Sequence, residues 1–264
     1  MPFIAHRVWG WEPVKITPEW GMRDLPNGYA YPLCNSVQCT ACNALFLDIR
    51  FDEEEVSRLY TGYRGAEYAS QRERFEPGYS VQNEVLNAGY NYIPVVEEML
   101  SPYLPSSIRV LDWGGDTGVN TPFRHTAAIH HVYDISHKEL VKSAVHIEQP
   151  IASGYDLVVL SNVLEHLPYP QKELLRVSRV MDKNTLLYIE VPYEAVVKNA
   201  VIPTPLHQCK KYWHEHINFF VPSSLQALVA SCSLELLELK SFDAAVGKKT
   251  VSQLAAICRK SSTV

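Results

Sequence analysis

Short apolar runs alternate with helical segments through the last two thirds of the chain, and this alternation restricts the fold more than any other feature. The runs at 108–111, 129–133, 157–160 and 186–191 are each bounded by polar or turn residues, as buried strands are. Residues 171–180 have the spacing of an amphipathic helix. Strands separated by helices predict βαβ units and a doubly wound, mostly parallel sheet of the α/β class.

The two ends of the chain differ from this central pattern. Two further apolar runs, 234–239 and 253–258, predict a closing antiparallel pair of strands. The start of the chain is irregular, and it contains three of the five tryptophans and three cysteines within nine residues. We therefore divide the chain into a smaller N-terminal segment, 1–90, and a sheet-forming domain, 91–264.

Composition excludes several classes of protein. The chain has 264 residues, 47% hydrophobic and 20% charged, so it can bury a core. The formal net charge is −5 and there is no block of lysine or arginine, which disfavours nucleic-acid binding because phosphate contacts need a basic surface. No apolar run approaches the ~18 residues of a membrane span, and the N-terminus has no signal-peptide pattern. We expect a folded cytoplasmic protein that binds neither nucleic acid nor membrane.

The first predicted strand runs directly into a glycine-rich turn, Val110-Leu-Asp-Trp-Gly-Gly-Asp-Thr-Gly118. Such a turn lets a ligand approach the backbone closely, and the helix expected after it would present its N-terminus. The spacing matches neither the dinucleotide pattern G-x-G-x-x-G nor a P-loop. Asp134 follows the next strand, where an acid of a doubly wound fold binds ribose hydroxyls; a turn or capping role is the alternative.

Together with the stretch Tyr155–Leu167, the glycine turn and Asp134 resemble the successive motifs of class I S-adenosylmethionine-dependent methyltransferases. The resemblance covers about residues 90–260 and implies a Rossmann-like fold and methyl transfer that leaves S-adenosylhomocysteine. It implies that the turn holds the methionine end of the cofactor, although Asp116 stands where the family usually has glycine. The residues implied to contact the cofactor are Asp112, Gly114, Gly115, Asp116, Gly118, Asp134 and Asn162.

The segment Lys211-Tyr-Trp-His-Glu-His-Ile-Asn-Phe-Phe220 is the most unusual string of the chain. It lacks the second histidine of the metalloprotease pattern H-E-x-x-H, but His214 and His216 could share a metal ion. Glu215 and His216 could instead satisfy buried backbone groups. We favour acid–base chemistry, because methyl transfer requires a proton to leave the nucleophile. The candidate catalytic residues are His216 with Glu215, His166 and His214.

The string Glu190-Val-Pro-Tyr193 and the histidine segment narrow the resemblance to sugar C-methyltransferases and their relatives in surface-polysaccharide biosynthesis. In that branch a tyrosine and a Glu-His pair lie over the substrate. Glu215 and His216 match this pair, whereas Trp213 replaces the tyrosine and Tyr193 is a candidate substitute. The branch implies a sugar or nucleotide-sugar acceptor, methylated on carbon or oxygen. The alternatives are O-methylation of another small metabolite and a non-catalytic zinc-ribbon interaction protein with a decayed methyltransferase domain.

Three cysteines of the N-terminal segment, Cys34, Cys39 and Cys42, have the knuckle spacing of thiolate zinc sites. The same branch typically carries an N-terminal zinc module with two Cys-x-x-Cys pairs, and Cys39 and Cys42 resemble the second pair. The first pair is absent, although His6 is a conceivable fourth ligand. A zinc site and a degenerate module with reduced, buried thiols are both open readings of this pattern.

A tyrosine- and arginine-rich stretch follows in the N-terminal segment. Arginine forks bind phosphates bidentately and tyrosines stack on bases or sugars, so this stretch predicts a lid over a nucleotide diphosphate. A solvated helix face that packs its tyrosines on the core is the alternative. The candidate substrate-binding residues are Tyr63, Arg64, Tyr68, Arg72 and, from the later motif, Tyr193.

Overall fold

The computed structural model describes residues 2–30, 34–198, 215–247 and 249–261. Its N-terminal part consists of short elements, and polar caps set some of their limits. The helix α2 begins after Asp52, whose side chain accepts the N–H of Glu55 while the Glu55 side chain accepts the N–H of Asp52. The elements are α1 (Pro2–Trp9), β1 (Val14–Ile16), β2 (Gly28–Ala30), β3 (Ser36–Gln38), β4 (Leu45–Leu47), α2 (Glu53–Tyr60), α3 (Ala66–Glu73) and α4 (Tyr79–Ala88).

The remainder of the chain contains the predicted strands, although those between residues 109 and 161 follow one another without an intervening helix. The strands are β5 (Arg109–Trp113), β6 (Ile129–Tyr133), β7 (Val145–His146), β8 (Leu157–Ser161), β9 (Leu186–Pro192), β10 (Asn218–Phe219), β11 (Leu234–Val246) and β12 (Lys249–Lys260). The helices are α5 (Ile93–Leu100), α6 (Pro170–Val180), α7 (Ala195–Lys198) and α8 (Pro222–Ala230). None of the helices described is long and apolar enough to cross a membrane.

Seven strands form the central sheet in the spatial order β11-β12-β9-β8-β5-β6-β7. The neighbours β9, β8, β5, β6 and β7 pair in parallel, whereas β12 lies antiparallel to both β9 and β11. Within this sheet, β12 is therefore the strand that runs against the other six. The α/β class, the mostly parallel sheet and the closing antiparallel pair are all confirmed.

The sheet is buried on both faces because its strands carry apolar residues at odd and even positions alike. On one face, Leu111, Val158 and Leu160 pack with α6 and α8. On the other face, Val110 and Val159 pack with α5 and with Tyr92. The result is a layer of helices on each side of the sheet, which is the doubly wound arrangement.

The N-terminal segment has its own apolar core, which later residues complete. Its buried side chains include Phe3, Leu47 and Tyr68, and they pack with Val197 and Phe219 from the second half of the chain. Strand β10 also pairs antiparallel with β4, in a small sheet of order β10-β4-β3. The N-terminal core therefore includes residues from the later part of the chain, because Val197 and Phe219, which lie between β9 and α8, pack against it.

One expectation is wrong: no helix follows the glycine turn. Residues 114–128, all of which are described, form turns between β5 and β6. Three glycines and Pro122 make this stretch a poor helix former, and Asp116 and Phe123 both have positive φ. The ligand-binding N–H groups at this edge of the sheet must therefore come from the turn itself and not from a helix N-terminus.

Candidate active site

The glycine turn after β5 packs so closely that side chains would not fit. A Cβ atom at Gly115 would lie 2.4 Å from the Asp112 carboxyl carbon, and one at Gly114 would lie 2.6 Å from a methyl of Val163. Gly114 also has φ +78°, a left-handed conformation that favours glycine. Close packing against Asp112 and Val163 therefore requires glycine at both positions, and we call this part of the turn, which accepts no side chain, the cradle.

Asp112 lies beneath this cradle and is buried. The Thr121 hydroxyl donates a hydrogen bond to its carboxylate, and the hydroxyl oxygen of Thr121 lies 2.8 Å from Nε2 of His130. Burial raises the pKa of Asp112 to about 7 and lowers the pKa of His130 to about 4. Asp112 is thus a carboxyl group whose ionised form would be favoured by a cationic ligand in the cradle.

Hydrogen bonds of Asp134 and Asp116 connect the loops that follow β5 and β6. The two carboxylate oxygens of Asp134 accept the backbone N–H groups of Asp116, at 2.8 Å, and Ser136, at 2.6 Å. Asp116 has φ +53°, a conformation that aspartate tolerates better than most residues, and its carboxylate contacts Lys138 at 3.0 Å. Asp134 thus holds the turn in place.

A cavity of about 370 Å³ opens in front of the turn. Five of the seven predicted cofactor contacts border it, whereas Gly118 and Asp134 do not. Gly118 instead packs against His130, with a φ of +74°. The predicted residues that border the cavity are Asp112, Gly114, Gly115, Asp116 and Asn162, and sequence reasoning missed Tyr90, Lys138 and Glu139.

A second cavity, of about 480 Å³, adjoins the first. The wall common to both consists of Tyr63, Arg64, Leu86, Tyr90 and Asn162. The sequence interpretation placed these two N-terminal residues, Tyr63 and Arg64, in a lid over the substrate, and they lie between the two cavities. A molecule in the first cavity and a molecule in the second would therefore meet at this shared wall.

The histidines of the two Glu-His dipeptides meet in the second cavity. The rings of His166 and His216 lie 4.7 Å apart, edge to face. Nδ1 of His216 lies 2.6 Å from an oxygen of Glu194, which sequence reasoning did not identify. Burial lowers the pKa of His166 well below its usual value, so this ring is neutral near pH 7. His214 and Trp213 lie outside the described residues.

Glu165 borders the same cavity and carries an unusual buried carboxyl group. It is 1% exposed, and neither of its oxygens has a hydrogen-bond partner. The nearest basic atom is Nε2 of His166, at 3.6 Å. Burial raises the pKa of Glu165 well above its usual value. The repeated Glu-His dipeptide was the sequence signal that could have identified Glu165.

Glu215 forms a buried ion pair with Arg72 of α3, at 2.7 Å. Burial raises the pKa of Glu215 to about 7, and the contact with Arg72 favours its ionised form. Arg72 also contacts Glu76 and lies over the ring of Tyr79. Arg72 borders the second cavity together with Tyr193, whereas Tyr68 is fully buried in the N-terminal core and borders neither cavity.

Glu190 positions Asn162 in the wall between the cavities. Its buried carboxylate accepts hydrogen bonds from the hydroxyls of Tyr92, at 2.6 Å, and Tyr188, at 2.7 Å. It also accepts from the Asn162 amide, at 3.1 Å, and from Ser161. Asn162 has φ +54°, so this network also stabilises a left-handed turn after β8.

The three cysteines do not form a shared zinc site as they are arranged. Among the described residues, the sets of side chains near enough to share an ion are Glu165, His166 and His216, and the more exposed His137, His146 and Glu148. Burial raises the pKa of Cys34 to about 11, which disfavours the thiolate that zinc requires. Hydrogen bonds from Cys42 lower the pKa of Cys39, and His6 contacts Glu12.

The comparisons with known proteins agree with this geometry. A family model described as a methyltransferase domain matches residues 86–239. A search of curated protein sequences finds no match. Among solved structures, the chain is similar to 1,6-didemethyltoxoflavin-N1-methyltransferase of Burkholderia thailandensis, solved with 1,6-didemethyltoxoflavin and S-adenosylhomocysteine, at 13% identity and a TM-score of 0.52; 85% of this chain and 99% of that chain are covered.

A second similar structure is a chain from the complex between the Haloferax volcanii Trm112 methyltransferase activator and a methyltransferase. Its identity to this chain is 12% and the TM-score is 0.50, with 73% of this chain and 98% of that chain covered. Identities this low show a shared fold alone.

The raised pKa of Asp112 predicts a pH-dependent difference in stability. Between about pH 4 and 7 the folded state keeps the proton that the unfolded state releases, so deprotonation lowers the free energy of unfolding as pH rises through this window. Asp112→Asn removes this loss. We expect the variant to gain up to about 4 kcal/mol relative to wild type between pH 4 and 7.5. Urea unfolding at both pH values measures the difference, with the exposed Asp24→Asn as control; a pH-independent difference for Asp112→Asn would contradict the assignment.

Proposed function

Because the chain belongs to the class I S-adenosylmethionine-dependent methyltransferase family, as the match over residues 86–239 shows, we propose that its acceptor is a sugar or nucleotide sugar. Methyl transfer itself follows from the family and the fold. The observation that carries the proposal is the pair of adjoining cavities: one in front of the glycine turn, the other lined by histidines and carboxylates. We assign the first to the cofactor and the second to the acceptor.

The first cavity fits S-adenosylmethionine. Gly114 and Gly115 border this cavity, and a side chain at either position would collide with Val163 or Asp112 and displace the backbone of the cradle. Asp112 lies directly beneath and favours a positively charged group. We assign the methionine end to this cradle, whereas a ribose contact of Asp134 stays a prediction, since this residue does not border the cavity. When bound, S-adenosylmethionine supplies a methyl group on a sulfonium, which is already a strong methyl donor.

The lining of the second cavity supports a polyhydroxylated acceptor. Carboxylates, an amide and lysines border it, and they supply the acceptors and donors that sugar hydroxyls need. Glu165 has two buried oxygens without partners, so a donor group of the acceptor would satisfy them. Lys198 and Lys249 border the same cavity and could bind a diphosphate. We therefore place the sugar ring near Glu165 and any nucleotide toward the lysines. We propose that the methylated sugar belongs to polysaccharide or deoxysugar biosynthesis.

His216 is the proposed general base. When Nδ1–H donates to Glu194, Nε2 keeps its lone pair for a proton, and the carboxylate stabilises the imidazolium that forms. The neutral ring of His166, 4.7 Å away, orients the acceptor without adding a positive charge. Glu215 supports the site through its ion pair with Arg72. For an acceptor hydroxyl, the O–H proton passes to His216 as the oxygen–methyl bond forms and the sulfur–methyl bond breaks.

A panel of acceptors tests the substrate class. The purified protein is incubated with S-adenosylmethionine and individual nucleotide sugars, both 4-keto and fully reduced, and released S-adenosylhomocysteine is measured. We expect turnover on at least one sugar, with a keto preference indicating carbon methylation and a hydroxyl preference indicating oxygen methylation. Cofactor binding by calorimetry, combined with silence on all sugars and turnover on another small metabolite, would overturn the sugar proposal.

Substitution of His216 tests the base. His216→Gln should lower kcat by about 10²-fold or more while the Kd for S-adenosylmethionine stays within about threefold, because general-base catalysis contributes at this scale. His125→Gln is the matched control, because His125 is an exposed histidine that borders neither cavity. In wild type, kcat should decrease toward acidic pH as the base becomes protonated, and this decrease should be absent in His216→Gln. A kcat near the wild-type value in His216→Gln would show that another group takes the proton.

The close packing of the cradle predicts that one added methyl group weakens the binding of S-adenosylmethionine. Gly115→Ala places a Cβ 2.4 Å from the Asp112 carboxyl carbon, so the turn must shift, and we expect S-adenosylmethionine affinity to fall at least about tenfold. Gly154→Ala is the matched control, since its Cβ would make only ordinary contacts, from 3.4 Å. Isothermal titration measures both Kd values. Equal affinity in the two variants would place the cofactor away from the cradle.

A further inference from the structure

Arg64 occupies a fixed position in the wall between the two cavities. It lies in the loop between α2 and α3 with φ +56°, a left-handed conformation that is costly for arginine. Its carbonyl accepts a hydrogen bond from the Asn83 side-chain amide at 2.9 Å, which anchors the loop on α4. The guanidinium lies over the ring of Tyr63, with its carbon 4.9 Å from the ring centre. The backbone therefore aims this side chain at the cavities.

The Arg64 guanidinium has no carboxylate partner. Within the described ranges, no acid lies within salt-bridge distance of it, and its Nε is buried without a hydrogen-bond partner. The residues outside those ranges include no aspartate or glutamate. The neighbouring cations differ: Arg72 is paired with Glu215, and Lys138 with Asp116. A half-buried guanidinium without a counter-charge is unfavourable unless a ligand supplies an anion.

The charges around the first cavity identify that anion. The amino-acid end of S-adenosylmethionine carries an ammonium and a carboxylate on one carbon, and Asp112 beneath the glycine cradle suits the ammonium. Asp116, which also borders this cavity, is already paired with Lys138. Arg64 is thus the cation left for the carboxylate. The second cavity has Lys249 for an anionic acceptor, whereas Lys198 contacts Asp243.

We propose that Arg64 binds the carboxylate of the methionine end of S-adenosylmethionine through its guanidinium fork, while Asp112 faces the ammonium. This assignment rests on the proposed placement of the cofactor in the first cavity. It makes Arg64 a cofactor-binding residue, although it belongs to the stretch that the sequence interpretation assigned to the substrate lid. A residue of the N-terminal segment would then complete the cofactor site of the sheet domain, and the cofactor would order the wall that separates it from the acceptor.

The test uses two ligands that differ in one group. Isothermal titration measures the Kd of S-adenosylmethionine and of its decarboxylated analogue, which keeps the ammonium and the sulfonium, for wild type and for Arg64→Ala, Arg64→Gln and Arg64→Lys. Arg58→Ala, an exposed arginine on the preceding helix, is the matched control. Circular dichroism melting confirms that each variant is folded, and the three substitutions of Arg64 provide alternatives if one is not.

We expect wild type and Arg58→Ala to bind S-adenosylmethionine about 10- to 100-fold more tightly than the decarboxylated analogue, as a charge-assisted pair at this site should give. Arg64→Ala and Arg64→Gln should lose this preference while binding the analogue within about threefold of wild type. Arg64→Lys should keep part of it, because a lysine supplies the charge without the fork.

Two results would overturn the proposal. Equal Kd values for both ligands in wild type would show that no carboxylate subsite exists. A wild-type preference that survives in Arg64→Ala or Arg64→Gln would place the carboxylate elsewhere, and a raised acceptor KM in the same variants would assign Arg64 to the acceptor. If wild type binds neither ligand, the proposed cofactor cavity itself is wrong, which distinguishes failure of the function from failure of this subsite.

Discussion

The buried ion pair between Arg72 and Glu215 joins two parts of the chain that lie 143 residues apart. Removing two charges from water costs several kcal/mol for each ion, and close contact with further hydrogen bonds offsets this cost. Here the contact is 2.7 Å, Glu76 binds the other side of the guanidinium, and the ring of Tyr79 lies beneath it. The pair therefore ties α3 to the edge of the second cavity. This attachment bears on both cavities, because the loop before α3 supplies Tyr63 and Arg64 to their common wall.

Three buried or half-buried glutamates border the second cavity and a fourth, Glu190, holds Asn162 in its wall; their environments differ. Glu190 accepts hydrogen bonds from two tyrosines and an amide, so it positions Asn162. Glu194 contacts Nδ1 of His216, which favours the tautomer that carries the proton on this nitrogen. Glu215 is paired with an arginine, whereas the oxygens of Glu165 have no hydrogen-bond partner among the described residues. One residue type thus has four different environments around a single cavity.

The fold could be predicted from the sequence because the signals for it are local. The run Leu157–Ser161 is apolar at every position but the last, which is typical of a strand covered on both faces. The helix Pro170–Val180 has proline at its first turn and buried Leu174 and Val177 on one side. The helix expected after the glycine turn is absent from residues 114–128. Parallel strands are usually connected by a helix, but three glycines and a proline give this stretch a low helix propensity.

By itself, the sequence determined the main strands of the sheet and their order along the chain, and it determined the glycine turn with Asp112 beneath it. These features were enough to indicate the family. These features depend on neighbours in the chain, where periodicity and turn chemistry act. Only the tertiary structure decided that Glu194 contacts His216, that Arg72 pairs with Glu215 while Tyr68 lies in a core, and that Arg64 borders both cavities. Such charge pairings join residues from distant segments, and no local pattern records which of several carboxylates an imidazole or guanidinium will meet once the chain has packed.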